Sequence, residues 1–447
     1  MNTKSVEVYM TARDTMDRLT KQQDLTFVPD ADGRELELIN VYEDVEYQKL
    51  QGFGGAFTEA AAVTLKKMSA KKQREIVDAY FAPETGLGYT LCRTHIHSCD
   101  FALGNYVYIE EGDDSMESFD VERDRDALLP FMKQAMETSG GRITMFASPW
   151  SPPAWMKTSG TMNKGGSLLP QYRAVWAKYF VKYIQAYAAE GIDIWGVTVQ
   201  NEPKAVQPWD SCIYTAEEER DFVRDYLGPA LAAAGLGHVK IIVWDHNKER
   251  LYERARTILS DPKANEYVYG VGFHWYSGDH FEALDAVRRQ YPDKALLFTE
   301  GCVEKGVKLG SWDPGERYAH DIIGNLNNGM NGWTDWNLLL DEIGGPNHVA
   351  NYCDAPIIAD TKQDIVYYQS SYYYIGQFSR FIRPGAVRLG CSRYTDKLDT
   401  TAFRNPDGTT AVVILNRTDG ELPFYLRTEH GLASAHAPAH SIQTLLY

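Results

Sequence analysis

Through the middle of the chain, short apolar runs rich in β-branched and aromatic residues alternate with stretches in which apolar residues recur every three or four positions. The first kind of pattern predicts buried strands and the second amphipathic helices. The strand-like runs are QGFGGAF at 51–57, YTLCRTHI at 89–96, RITMFASP at 142–149 and IWGVTVQN at 194–201. They continue with VKIIVWD at 239–245, VYGVGFHWY at 268–276, ALLFTEG at 295–301 and NGWTDWNL at 331–338. Between them, a helical stretch from about Glu59, the set Leu128, Met132 and Met136, the set Trp176, Phe180, Tyr183 and Tyr187, and the set Leu251, Ala255 and Leu259 keep helical spacing. Eight strand–helix units of this kind predict an α/β fold whose parallel strands close into a (β/α)8 TIM barrel, spanning residues 49–383.

Both ends of the chain read differently. Val6, Val8 and Met10 alternate with polar neighbours, and ELELINVY follows at 35–42, with no helical partner for either. After Pro384 the helical period disappears, and AVRLG, TTAFRN, TTAVVIL, LPFYLR and SIQTLLY are short strands, with Asn405-Pro406-Asp407-Gly408 as a hairpin turn. The expected architecture therefore adds an all-β sandwich, built from residues 384–447 and completed by strands of residues 1–48.

Composition narrows the partners. A chain of 447 residues, 44% hydrophobic and 24% charged, has ample material for a barrel plus a smaller domain. Its net charge of -16 repels phosphate backbones and anionic lipid, which argues against nucleic-acid and membrane-surface partners and is compatible with a neutral substrate. No stretch is long and apolar enough for stable membrane insertion, and the start of the chain has no apolar leader pattern, which gives a cytoplasmic expectation. The six cysteines are widely and irregularly spaced without a CxxC, as expected of reduced buried thiols.

Two strand-like runs end on a glutamate: Glu202 in VTVQNEP and Glu300 in LLFTEGC. In a parallel barrel the chemistry gathers at the carboxyl ends of the strands, so these two carboxylates are expected to face one pocket. Pro203 disfavours the right-handed helical region at Glu202, which is therefore expected to stay extended. Asn201 beside it offers a donor and an acceptor for a sugar hydroxyl. Arg93, His95 and His97 share a strand face by period two, but no third ligand follows at a metal spacing, so neither a metal nor a cofactor is expected. The glycines of QGFGG and GGPN fit no phosphate-binding spacing, and Cys302 has no paired histidine motif and is expected to be structural.

The segments QGFGGAFTEAAA, HSCDFALGNY, FASPWSPPAWMKTSG, TVQNEP, GFHWY, TEGC, NGWTDWNLLLDEIGGPNHVANYCDAPII and PDGTTAVVILNR, in this order, resemble glycoside hydrolase family 30, in its glucosylceramidase-like branch. The resemblance implies a retaining β-glycosidase, with Glu202 at the family's acid/base position and Glu300 at its nucleophile. It further implies that Asp100, Trp150, Asn201 and Trp336 hold a terminal glucose, and that Arg93, His274, Tyr276 and Asn351 complete the pocket. His95 and His97 stand where relatives are often apolar or small, and Gly301 where some have alanine.

Retention requires carboxyl groups about 5 to 5.5 Å apart, one attacking the anomeric carbon and one protonating the leaving oxygen. On that scheme Arg93 and Tyr276 are expected to hold the Glu300 carboxylate and lower its pKa, and burial is expected to raise that of Glu202. Trp150, Trp336 and Trp275 are expected to form flat walls for the sugar, and Asp100 to accept from its outer hydroxyls, although Asp100 also suits a turn cap after Cys99. The expected activity is a β-D-glucosidase acting on neutral β-glucosides. The competing readings are a β-xylosidase or endo-β-1,6-glucanase on the same scaffold, and a non-catalytic carbohydrate-binding barrel, which has no need of two intact glutamates.

Overall fold

The computed structural model describes residues 4–447. Eight parallel strands close into a barrel: β1 (Gly52–Phe57), β2 (Leu91–Ile96), β3 (Thr144–Pro149), β4 (Ile194–Thr198), β5 (Lys240–Asn247), β6 (Val268–His274), β7 (Ala295–Glu300) and β8 (Gly332–Asn337). Each strand-like run of the sequence forms one of them, and β8 pairs back onto β1. Strands β1, β2, β7 and β8 are buried along their whole length, which is why they read as continuous apolar runs rather than alternating ones. Leu91, Phe146, Ile242 and Leu297 pack against one another as one buried layer. At Gly54 a Cβ would lie 1.8 Å from the Leu91 carbonyl oxygen, so only glycine lets β1 approach β2 this closely.

Helices cover the barrel where the 3.6-residue period predicts them. Thr58 caps the helix Glu59–Lys67 directly after β1, its side chain accepting from the Ala61 amide. The helix Arg173–Ala189 buries Trp176, Phe180, Tyr183 and Tyr187 against the barrel, and truncating any one of these rings to alanine would cost about 3–5 kcal/mol.

The two chain ends meet in a second, antiparallel-rich sheet. Ser5–Ala12 pairs with Ser441–Leu446, and Leu38–Lys49 lies between Val387–Arg393 and Leu422–Thr428. The sheet wraps over a core of Val6, Val8, Ile39, Val41, Leu389, Val412, Ile414, Phe424 and Leu445, and its two ends are joined by the paired backbone groups of Val28 and Leu432. Thr444 Oγ1 donates to Gln377 on the last barrel helix (Ser370–Ser379), and Gln377 Nε2 donates to Thr11, which ties the sandwich to the barrel.

Two features escaped the sequence pattern. Gly431–Ala437 forms a strand although its small residues carry little apolar signal. Beyond β8, Leu339–Asp341, Ile357–Asp360 and Ile365–Tyr368 form a three-stranded sheet whose pairing is set by a long loop rather than by local period. That loop carries Asn351 to the mouth of the barrel. Among the described residues no helix is long and apolar enough to cross a membrane.

Candidate active site

Arg93, on β2, organises the centre of the barrel mouth. Its guanidinium is fully buried and donates to Glu300 Oε2 at 2.6 Å, Asn201 Oδ1 at 2.8 Å, Asp245 Oδ2 at 2.9 Å and Ser148 Oγ at 3.0 Å. Glu300 is the last residue of β7, and its other oxygen accepts from the Tyr276 hydroxyl at 2.9 Å. Both oxygens of one carboxylate are thus held, so Glu300 presents a fixed face to the cavity.

Asp245 was not anticipated, and a bulge puts it there. Along β5 and β6 the register pairs Trp244 with Gly272 and then His246 with Phe273, which leaves Asp245 as the extra residue. Trp244 and Asp245 both take left-handed backbone, with φ of 73° and 51°. The kink turns the Asp245 carboxylate into the barrel, where it accepts from Arg93, Thr198, Thr299 and His274. Burial alone would raise its pKa; Arg93, His274 and Thr299 instead hold it well below the usual carboxylate range.

Glu202 departs from the extended geometry expected of a residue before proline. Strand β4 ends at Thr198, and Glu202, four residues on, has a φ of 48°. Pro203 bars the right-handed region, and the chain uses the left-handed one instead, with the Glu202 amide donating to the Asp245 carbonyl at 3.0 Å. Its Oε1 lies 3.3 Å from His274 Nδ1 and 3.5 Å from His246 Nδ1.

Glu202 and Glu300 line one cavity of about 630 Å³, together with Asp100, Trp150, Asn201, Tyr276, Trp336 and Asn351. Arg93 and His274 lie fully buried beneath it. Trp150 and Trp336 stack with ring centroids 5.0 Å apart and 18° between planes, which makes one apolar slab above the Arg93 guanidinium. Trp275 does not join them. It follows His274 in the chain and turns outward onto Phe298 and Tyr318, with its Nε1 bonded to the Cys302 carbonyl, so the expectation of a third sugar wall is corrected. His97 is likewise off the strand: β2 ends at Ile96, and His97 is bonded to Ser151 and Tyr179, while His95 accepts from the Glu59 amide.

Asp100 accepts from Asn351 Nδ2 at 3.0 Å. Burial, with the charges of Glu300 and Glu202, pushes its carboxyl well above the usual range. For Glu300, burial pushes the carboxyl up, with His274 and Arg93 opposing and Glu202 adding to the rise. For Glu202, burial acts upward but His246 and His274 outweigh it, and the net shift is downward. These directions reverse the sequence expectation. The physical reason is that burial dominates at Glu300, whereas at Glu202 the adjacent His246 and His274 outweigh it; burial alone would lower His274, but Glu300, Asp245 and Glu202 raise it to about 9.

The cavity also presents Gln207, Trp209, His246, Asn247, Glu304, Cys302 and Cys353. His246 and Asn247 end β5, so the rule that strand ends carry chemistry would have found them had the run VKIIVWD been followed two residues further. Gln207 and Trp209 lie in a loop without periodicity and carry no such signal.

A parallel barrel with two acidic side chains in one aromatic-walled cavity at the carboxyl ends of its strands defines an O-glycosyl hydrolase. Comparisons with known proteins agree. The model of the glycosyl hydrolase family 30 TIM-barrel domain matches residues 50–382, and that of the family's β-sandwich domain matches residues 385–445. The chain belongs to glycoside hydrolase family 30. It is 38% identical over 431 residues to the lysosomal acid glucosylceramidase of Mus musculus, covering 92% of this chain and 83% of that one. It is 30% identical over 426 residues to an endo-1,6-β-D-glucanase of Trichoderma harzianum, covering 89% and 84%. The crystal structure of SrfJ from Salmonella typhimurium superposes with a TM-score of 0.96 at 37% identity, covering 99% of both chains.

Proposed function

We propose that this chain is a retaining β-D-glucosidase of the glucosylceramidase-like kind, removing terminal β-glucose by double displacement. The observation that carries the reading is the clamped carboxylate: Arg93 and Tyr276 hold both oxygens of Glu300 in the cavity that Glu202 also lines. A nucleophile must be ionised and aimed; the two donors fix its direction, and Arg93 opposes the upward pull of burial on its carboxyl. Glu202 then serves as the acid. Its side chain is 13% exposed against 7% for Glu300, so a sugar filling the cavity removes more water from Glu202 and shifts its carboxyl upward, toward the order catalysis needs.

In the first step Glu300 attacks the anomeric carbon, the bond to the leaving oxygen breaks, and Glu202 gives that oxygen its proton. Forming the glycosyl ester removes the Glu300 charge. Glu202, now ionised beside His274, takes a proton from water as the water attacks the anomeric carbon and releases Glu300. The Trp150–Trp336 slab suits the C–H face of a pyranose, and the Asp100–Asn351 pair suits its outer hydroxyls. The likeness to a glucosylceramidase supports a glycolipid as one substrate. A second reading, an endo-β-1,6-glucanase, draws on the relatives of that activity at 30% and 31% identity.

A panel of nitrophenyl β-glucoside, nitrophenyl β-xyloside, β-1,6-linked glucose oligomers and glucosylceramide tests the proposal. The glucoside and the glycolipid should be turned over with release of glucose. Cleavage confined to the interior of β-1,6 oligomers would replace it with the second reading.

A further inference from the structure

Three ligand atoms converge on the acid side of the cavity. One ligand atom from each of Glu202, His246 and His274 lies within 4.8 Å of the other two, and Glu202 Oε1 is 3.3 Å from His274 Nδ1 and 3.5 Å from His246 Nδ1. Bonds of about 2.0–2.1 Å from one tetrahedral zinc ion place neighbouring ligand atoms about 3.4 Å apart, so these two separations match the edges of such a tetrahedron.

Two further features fit a ligand set. His274 Nε2 is paired with the Asp245 carboxylate at 2.9 Å, and that carboxylate is itself fixed by Arg93, Thr198 and Thr299. A carboxylate behind the far nitrogen is the usual outer support of a metal-binding histidine, because it sets the ring orientation and raises the basicity of the coordinating nitrogen. His246 Nδ1, in turn, is buried and makes no hydrogen bond, which is a standing cost for a polar atom unless something binds it. Its position comes from the Asp245 bulge, which turns the end of β5 so that His246 meets Glu202 across the cavity wall.

We propose that Glu202, His246 and His274 form a binding site for a borderline-soft divalent cation of the zinc class, with the fourth position open to the sugar cavity. The glycosidase reaction needs no metal, and this site acts against it. Coordination takes the Glu202 carboxylate and displaces the proton from His274 Nδ1, so a chain holding the cation has no acid for the leaving group. A chain with zinc bound is then unable to turn substrate over. The inhibition rests on the role proposed for Glu202, whereas the binding does not.

Isothermal titration of the reduced, metal-free full chain with zinc chloride tests the site. One zinc per chain is expected, with affinity reduced at least about tenfold in His246→Asn and His246→Gln and likewise in Glu202→Gln. Circular dichroism establishes that each variant is folded, and the two His246 substitutions guard against the loss of either. Cys302→Ser and Cys353→Ser should bind zinc as the parent does, and cobalt(II) should give a four-coordinate visible spectrum without a thiolate charge-transfer band. Zinc affinity unchanged in both folded His246 variants, or a thiolate band, would overturn the proposal. Hydrolysis of the nitrophenyl glucoside by the parent should fall as zinc loads. Zinc that binds through His246 yet leaves turnover intact upholds the site and removes Glu202 from the role of acid.

Discussion

Arg93 and Glu300 form a buried ion pair, Nη1 to Oε2 at 2.6 Å, although they stand on strands β2 and β7 and more than two hundred residues apart in sequence. The same guanidinium pairs with Asp245. Removing it would leave buried Glu300 with no cation in contact and Asp245 with His274 alone, so Arg93→Met should destabilise the fold by about 3–5 kcal/mol in urea denaturation. Arg93→Lys should recover only part of this, because a single ammonium cannot span Glu300, Asn201 and Asp245 as the planar fork does. Full recovery of stability and turnover by lysine would show that charge alone suffices.

Glu300→Gln should abolish turnover while the protein stays folded, since the amide cannot form the glycosyl ester. Glu202→Ala should slow substrates with poor leaving groups far more than activated aryl glucosides, with azide restoring rate to the latter. Equal losses for both leaving-group classes would remove Glu202 from the acid role.

The stereochemical outcome is a separate check. Proton NMR of the first product should show the β-anomer, which then mutarotates. Initial α product would mean a single displacement, with the two carboxylates too far apart for direct attack.

Tyr276→Phe deletes the donor to Glu300 Oε1 and nothing else of similar size. A hydrogen bond to a charged group contributes about 1.5–3 kcal/mol, so kcat/KM should fall by roughly ten- to a hundredfold. An unchanged value would show that Arg93 alone aims the nucleophile.

Asp335, on β8 beneath the cavity, gives the stability a pH dependence. It accepts from the Tyr318 hydroxyl at 2.7 Å, and burial, with Asp354 and Glu300 adding to it, raises its pKa to about 8 against opposition from Tyr318 and the Trp336 amide. The unfolded chain releases this proton near the ordinary aspartate value of 3.8, so the stabilising contribution is complete below that value and is lost as pH rises through about 8. Melting temperature should therefore decline between roughly pH 4 and 8 in the parent, and less steeply in Asp335→Asn, whose side chain stays neutral throughout. Identical slopes would assign the decline to other groups.

Local pattern was enough for the barrel strands, because a buried parallel strand is an unbroken apolar run and its covering helix a 3.6-residue repeat, both properties of neighbouring residues. It was also enough to mark Glu202 and Glu300, since a carboxylate at the end of such a run has few other reasons to be there. The sequence carried no sign that β5 bulges at Asp245, that Glu202 turns left-handed before Pro203, or that a small sheet beyond β8 delivers Asn351 to Asp100. Nor did it show which way the two catalytic candidates are shifted, because that depends on how deeply the closed barrel buries Glu300 and on the His246 and His274 rings it sets beside Glu202. A strand's identity is set by its own side chains, whereas a bulge, a charge and a cavity wall are set by what the closed barrel places opposite them.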